Sequence, residues 1–418
     1  MKSLPRPLRI LACIFWILAV GTFPIWLSVS HPGWDARVYA RAMRWVAAGQ
    51  DPYAAGIAQE EAYYAHIPGA GENGVPFAYV YSPITLPVLK LASAVPVRLL
   101  KAEYWLLYSV CALACILVTM RAAQGNEKRW MALMAPVAIF FPGLLVHDVV
   151  QSGNLAYILY GAALAAAWLG WKRANWLPFY CVVVAASCFK APYLCLLAVP
   201  FFSARREILR TSIAAAAGVG LFAVQAWIWP VAFHNYLRAV ELQFVWNRDF
   251  GISPAGQFGA LLEALQYPFE TAGWIFYALY ALPVVAMLWI LGRRFQRGAL
   301  SLGEWMPVIL LGAILLNPRH IEYDLAPLTL PLALIGLRLL ERVGNKPLVI
   351  GLVAEHFVAL NVVLQMGEAQ WQRSASCVLL VCGFVGGCWD LVKRSERAAS
   401  PARAQVQAIN FAMGKLAG

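Results

Sequence analysis

The chain has 418 residues, of which 61% are hydrophobic and 13% charged, with a formal net charge of +12. A soluble domain carries about twice that share of charge and about half apolar content, so a soluble core is excluded and a polytopic, all-α membrane protein is expected. The positive charge does not point to nucleic acid, because the basic residues gather at the ends of apolar segments as orientation signals do, and no nucleic-acid partner is expected.

Lys2, Arg6 and Arg9 precede an apolar run near 9–29, close to the roughly 20 residues that cross a bilayer. Ser28-Val29-Ser30 has the look of a cleavage site, but the run is long for a signal-peptide core and carries Trp16, Pro24 and Trp26, so it reads as a retained helix. Further spans are expected near 103–120, 130–146, 153–171, 208–229, 273–292, 304–317, 324–340, 347–366 and 374–392. Charge decides two ambiguous stretches. Reading 175–203 as two half-helices that meet at Lys190-Ala191-Pro192, and 80–96 as a segment that lies on or dips into the surface, keeps most of the 33 Lys and Arg residues on one side. The expected architecture is a single transmembrane domain over 1–397 with about twelve membrane helices, two of them half-helices, and a tail over 398–418. Both termini are then cytoplasmic, in a bacterial inner membrane, and the longer polar loops, 30–102 and 230–272, face outward.

Nine cysteines lie in apolar runs, which reads as packing and not as a disulfide framework. No histidine has metal-ligand spacing, so no metal site is expected.

In the first outer loop, residues 37–48 read as an amphipathic surface helix with Val38, Ala42, Trp45 and Val46 on one face and Arg37, Arg41 and Arg44 on the other. Asp35 falls at its expected N-cap, and Asp51-Pro52-Tyr53 makes a turn after Gly49. Asp35 has two readings at this point, a helix cap or a general base at the membrane surface. Lys190, in apolar sequence beside Pro192, is either a wet half-helix tip or an anion ligand. The cluster Arg319-His320-Ile321-Glu322-Tyr323-Asp324 is either a solvated turn or a phosphate site in which Arg319 binds bidentately. Gln151 and Asn154, with His147-Asp148, flank another outer turn, and Arg248 lies in the second outer loop.

Asp35-x-x-Val38-Tyr39, Gly49-Gln50-Asp51-Pro52-Tyr53, Tyr79-Val80-Tyr81-Ser82-Pro83, Gln151-Ser152-Gly153-Asn154, Lys190-Ala191-Pro192 and Asn317-Pro318-Arg319-His320 occur in that order. The set resembles glycosyltransferase family 87, and the resemblance covers most of the chain. Family members often have Gly-Gln-x-Asn and Tyr-Pro-Pro where this chain has Gln-Ser-Gly-Asn and Tyr-Ser-Pro. The resemblance implies a GT-C fold whose first outer loop forms membrane-parallel helices. It implies a polyprenyl-phosphate sugar as donor, mannose in the mannosyltransferases of the family, and a lipid or glycan acceptor. It also implies Asp35 as catalytic base and His320 as a second catalytic residue. Arg319, Lys190, Asp51, Tyr53, Tyr81, Gln151, Asn154, Glu322 and Arg248 are the substrate-binding candidates. No cofactor beyond the lipid-linked co-substrate is expected. The competing class is a transporter or flippase for a lipid-linked or polar solute, which predicts matched halves; the long first outer loop has no counterpart in the second half.

Overall fold

The computed structural model describes residues 10, 33–68, 76–135, 152–245, 251–267, 269–342 and 373–395. Every regular element among them is helical and none is a strand. A chain in lipid must satisfy its backbone groups internally, which helices do within one segment. Most of the spans expected near 9–29, 130–146 and 347–366, and the tail, lie outside the described residues.

The segment from 34 to 93 forms α1 (Trp34–Ala47) and α2 (Pro52–Tyr64), then an extended stretch, a 3-10 turn (Pro83–Thr85) and α3 (Leu86–Ser93). The amphipathic pattern holds: Val38 and Ala42 are buried while Arg37 and Arg44 are exposed. At 8 residues, α3 is about 12 Å long and does not cross a hydrocarbon core of about 30 Å. After it come α4 (Val97–Ala122), α5 (Glu127–Met134) and α6 (Ala156–Arg173).

The stretch from 175 to 203 is broken where expected. Helix α7 (Leu177–Phe189) stops at Lys190, whose backbone is extended, and a 3-10 helix (Ala191–Leu197) and α8 (Ala198–Ser203) follow. Pro192 has no N–H and its ring would clash with the carbonyl four residues back, that of Cys188. That carbonyl accepts instead from the Ser82 hydroxyl, which fastens the Tyr81-Ser82-Pro83 turn to the broken helix. Gln225 of α9 (Ile208–Ile228) adds a second tie, accepting from Ile84 N at 2.9 Å.

The remainder is α10 (Pro230–Val245), α11 (Pro254–Ala264), α12 (Phe269–Gln296), α13 (Leu302–Leu315), a 3-10 helix (Glu322–Leu328), α14 (Thr329–Leu340) and α15 (Arg373–Ser395). The stretch from 230 to 272, expected as a loop, is therefore largely helical among its described residues. Each of α10 and α11 opens on a proline, which suits a first helical position, and Ser253 caps α11 by accepting from Gly256 N at 2.9 Å. Four helices, Val97–Ala122, Arg205–Ile228, Ala272–Gln296 and Arg373–Ser395, are long and apolar enough to cross a membrane. The protein is a helical membrane protein.

At the end of α4 away from α1, a buried ion pair joins α5 to α14. Arg338 Nε and Nη2 donate to Glu127 at 2.8 and 3.0 Å, and Nη1 donates to the Gly303 carbonyl at 3.0 Å.

Candidate active site at helix α1

Helix α1 begins earlier than its pattern of apolar residues implies. Gly33 is the N-cap, so Asp35 stands inside the first turn and not at the cap. Trp34 belongs to the helix because its indole is held from outside, its Nε1 donating to Tyr323 Oη at 3.1 Å. A carboxylate in a first turn is favoured by the helix dipole, and the Asp35 side chain is half-buried.

Tyr39 follows Asp35 by one turn and shares its face of the helix. Its hydroxyl lies 2.5 Å from that of Tyr81. Burial, then Tyr81 and Asp35, hold the Tyr39 phenol well above its ordinary pKa. Burial and then Asp35 do the same for Tyr81, against a smaller opposing effect of the Tyr39 bond. Both phenols therefore keep their protons near neutral pH, and either can donate in the bond between them.

Lys190 reaches the same tyrosine from another element. Its Nζ sits 5.5 Å from the centroid of the Tyr81 ring and 5.7 Å from that of Tyr323, within cation–π range. Lys190 is half-buried. Four segments distant in sequence thus meet: the first turn of α1, the Tyr81 turn, the break at Lys190 and the 3-10 helix holding Tyr323. Lys190 faces the Tyr81 ring, and Asp35 stands one turn from the Tyr39 whose hydroxyl meets it.

Asn154 supports this junction. Its amide donates to Tyr81 Oη at 3.4 Å, its side-chain oxygen accepts from Ala156 N at 2.8 Å, and its carbonyl accepts from Tyr104 Oη at 3.3 Å. It is 2% exposed. Gly153 (φ +75°) lets the turn close on α1, since a Cβ there would stand 2.8 Å from Ala36 Cβ. Asp51 caps α2, accepting from Tyr53 N at 2.9 Å, and its other oxygen accepts from Asn235 of α10 at 2.7 Å. Tyr53 is fully buried and donates to the Tyr81 carbonyl at 2.6 Å. Tyr53 thus holds the Tyr81 turn directly, and Asp51 ties the start of α2 to α10.

The turn that carries Arg319 and His320 is pinned by the start of α11. Ser253 Oγ donates to Pro318 O at 2.5 Å and Ile252 N to His320 O at 2.6 Å. Within the turn, Asn317 Oδ1 accepts from Arg319 N at 3.1 Å and Asp324 from Ile321 N at 3.1 Å. Arg319 is half-buried, while His320 is fully buried, and among the described residues neither ring nitrogen has a hydrogen bond of ordinary geometry. Burial lowers its pKa to about 4, against a smaller effect of the Asn317 backbone. The ring is uncharged at neutral pH.

Gln151, Arg248, His147-Asp148 and the side chain of Glu322 lie outside the described residues. Among the described residues no group of three or more His, Cys, Asp or Glu is placed to hold a metal ion. Reading the sequence did not single out Trp34, Tyr39 or Tyr323 as members of the junction. The four-residue spacing of Asp35 and Tyr39 carries a signal for one of them. The Trp34–Tyr323 bond spans 289 positions and leaves no local trace. No family model, curated protein or solved structure matches the chain.

Proposed function

We propose that the protein is an inverting glycosyltransferase of the GT-C type. In this reading it has about twelve membrane helices, sits in a bacterial inner membrane with both termini cytoplasmic, and works on the outer face. The donor is a polyprenyl monophosphate sugar, with mannose the sugar favoured by the ordered motifs, and the acceptor is a hydroxyl of a lipid or glycan. One observation carries the reading: the half-buried Lys190 ammonium lies 5.5 Å from the Tyr81 ring, and the hydroxyl of that ring meets Tyr39, one helical turn from the half-buried carboxylate of Asp35, 155 positions away in the sequence from Lys190. A transfer that removes a proton at one atom and releases phosphate at another requires such a pair.

Asp35 takes the acceptor proton as the hydroxyl oxygen bonds to the anomeric carbon, and the bond from that carbon to the phosphate oxygen breaks with its electron pair going to the phosphate. Lys190 and Arg319 meet the charge that grows on the departing polyprenyl phosphate. His320 is assigned an uncharged N–H, because burial keeps its pKa low. Tyr81 orients the acceptor side as a protonated donor, and Asp51, Tyr53 and Asn154 hold it in place. Gln151, Arg248 and Glu322 keep their assignment as substrate contacts. Fixed cations take the place of a divalent metal, so turnover is expected to persist in chelator.

The reading is tested by incubating purified protein with a panel of polyprenyl-phosphate sugars and candidate acceptors, and assaying free polyprenyl phosphate. Release that depends on an acceptor hydroxyl is the expected result. Sugar that stays on its carrier with every acceptor, while the carrier changes leaflet in vesicles, would instead establish a flippase.

A further inference from the structure

The two rings around Lys190 are themselves held. Tyr81 is fixed through its hydroxyl by Tyr39 at 2.5 Å and Asn154 at 3.4 Å, and through its backbone carbonyl by Tyr53 at 2.6 Å. Tyr323 is fixed through its hydroxyl by the Trp34 indole at 3.1 Å, with the two rings 6.3 Å apart. A lysine side chain has four rotatable bonds and loses much freedom when ordered. The Lys190 ammonium nevertheless lies at nearly the same distance from two aromatic faces, 5.5 and 5.7 Å. Trp34 is also the residue next to Asp35, so the group that fixes Tyr323 belongs to the same helical turn as the carboxylate.

The geometry points to Tyr81 and Tyr323 as a two-sided aromatic clamp that positions the Lys190 ammonium for an anionic phosphate ester, with the Trp34–Tyr323 bond tying that clamp to the helix turn that carries Asp35. Tyr81 and Tyr323 are positioning residues here, acting through Lys190. The phosphate assignment rests on the glycosyltransferase reading, whereas the clamp itself does not.

Two readouts separate these layers. The first is the rate at which trace acetic anhydride labels Lys190 in the full-length protein, measured by peptide mass spectrometry against the exposed Lys90. A ring face attracts and covers the ammonium, so Tyr323→Leu is expected to speed labelling by about 2–5-fold, the factor worth one cation–π contact. Tyr323→Phe keeps the ring and is expected to label nearly as the parent does. The second readout is the kinetic split: Tyr323→Leu is expected to raise the KM for the polyprenyl-phosphate donor by more than it lowers kcat, with Tyr323→Phe restoring most of the loss. Should the leucine variant not purify, Tyr323→Met carries the same comparison. Equal labelling of Lys190 in the parent and the ring-deleted variant overturns the clamp. Faster labelling in Tyr323→Leu than in the parent, where the parent turns over no donor, supports the clamp and removes the phosphate role.

Discussion

Asp35 and His320 sit in different surroundings, the carboxylate half-buried and the imidazole fully buried. Asp35 is not the cap of its helix: Gly33 takes that position, and the carboxylate lies instead in the first turn beside Tyr39. His320 was expected to meet phosphate charge, yet it is fully buried with a pKa lowered to about 4 from 6.5. Because the unfolded chain takes up that proton first, stability tied to His320 is full above about pH 6.5 and is lost as pH falls towards 4. The thermal midpoint of the parent is therefore expected to fall more steeply across that window than that of His320→Gln; parallel slopes would show that the ring is not enclosed. Gly251 makes the enclosure possible. Its φ is +74° and a Cβ there would lie 2.5 Å from the His320 carbonyl oxygen. Gly251→Ala is expected to cost about 1–3 kcal/mol through backbone strain and the loosened turn, read as a lowered denaturation midpoint.

Elements were legible where a local pattern determines them. The apolar stripe of α1 predicted its buried face, and Pro192 predicted the break at Lys190. The boundaries of α1 and the helices α10 and α11 were less legible. A polar segment carries no span signal, and what orders it is contact with other elements, such as Tyr236 of α10 against Tyr53 at 5.9 Å. The Glu127–Arg338 pair was invisible for the same reason, since its partners lie 211 positions apart. Burial alone would raise the Glu127 carboxyl, but hydrogen bonds from Arg338 and the Gln124 backbone lower it below its usual value. The pair's contribution is thus present above about pH 4.5 and is lost as pH falls below it. Glu127→Ala leaves a buried guanidinium without its carboxylate and is expected to cost about 3–5 kcal/mol, while Glu127→Leu with Arg338→Met recovers most of that loss. Thermal unfolding in detergent of the single and double variants checks this, and a double variant no better than the single one contradicts it.

For the whole molecule, hydropathy established the membrane class, because composition is a global property that needs no contacts. The junction was only partly legible. Asp35, Tyr81 and Lys190 stood out as a carboxylate, a motif tyrosine and an isolated charge, but their meeting depends on a chain of ties read only from the fold. The Ser82 hydroxyl fills the Cys188 carbonyl left by Pro192, Tyr53 holds the Tyr81 carbonyl, and Trp34 reaches Tyr323. The central claim is that Asp35 is a base acting on the outer face. It is tested most directly by the rate of polyprenyl-phosphate release from Asp35→Asn beside the parent, at donor concentrations that saturate both. The account predicts a fall in kcat of about 100- to 10,000-fold, the range of a lost general base, with donor binding and folding retained. Turnover by the asparagine variant within a few-fold of the parent would contradict it.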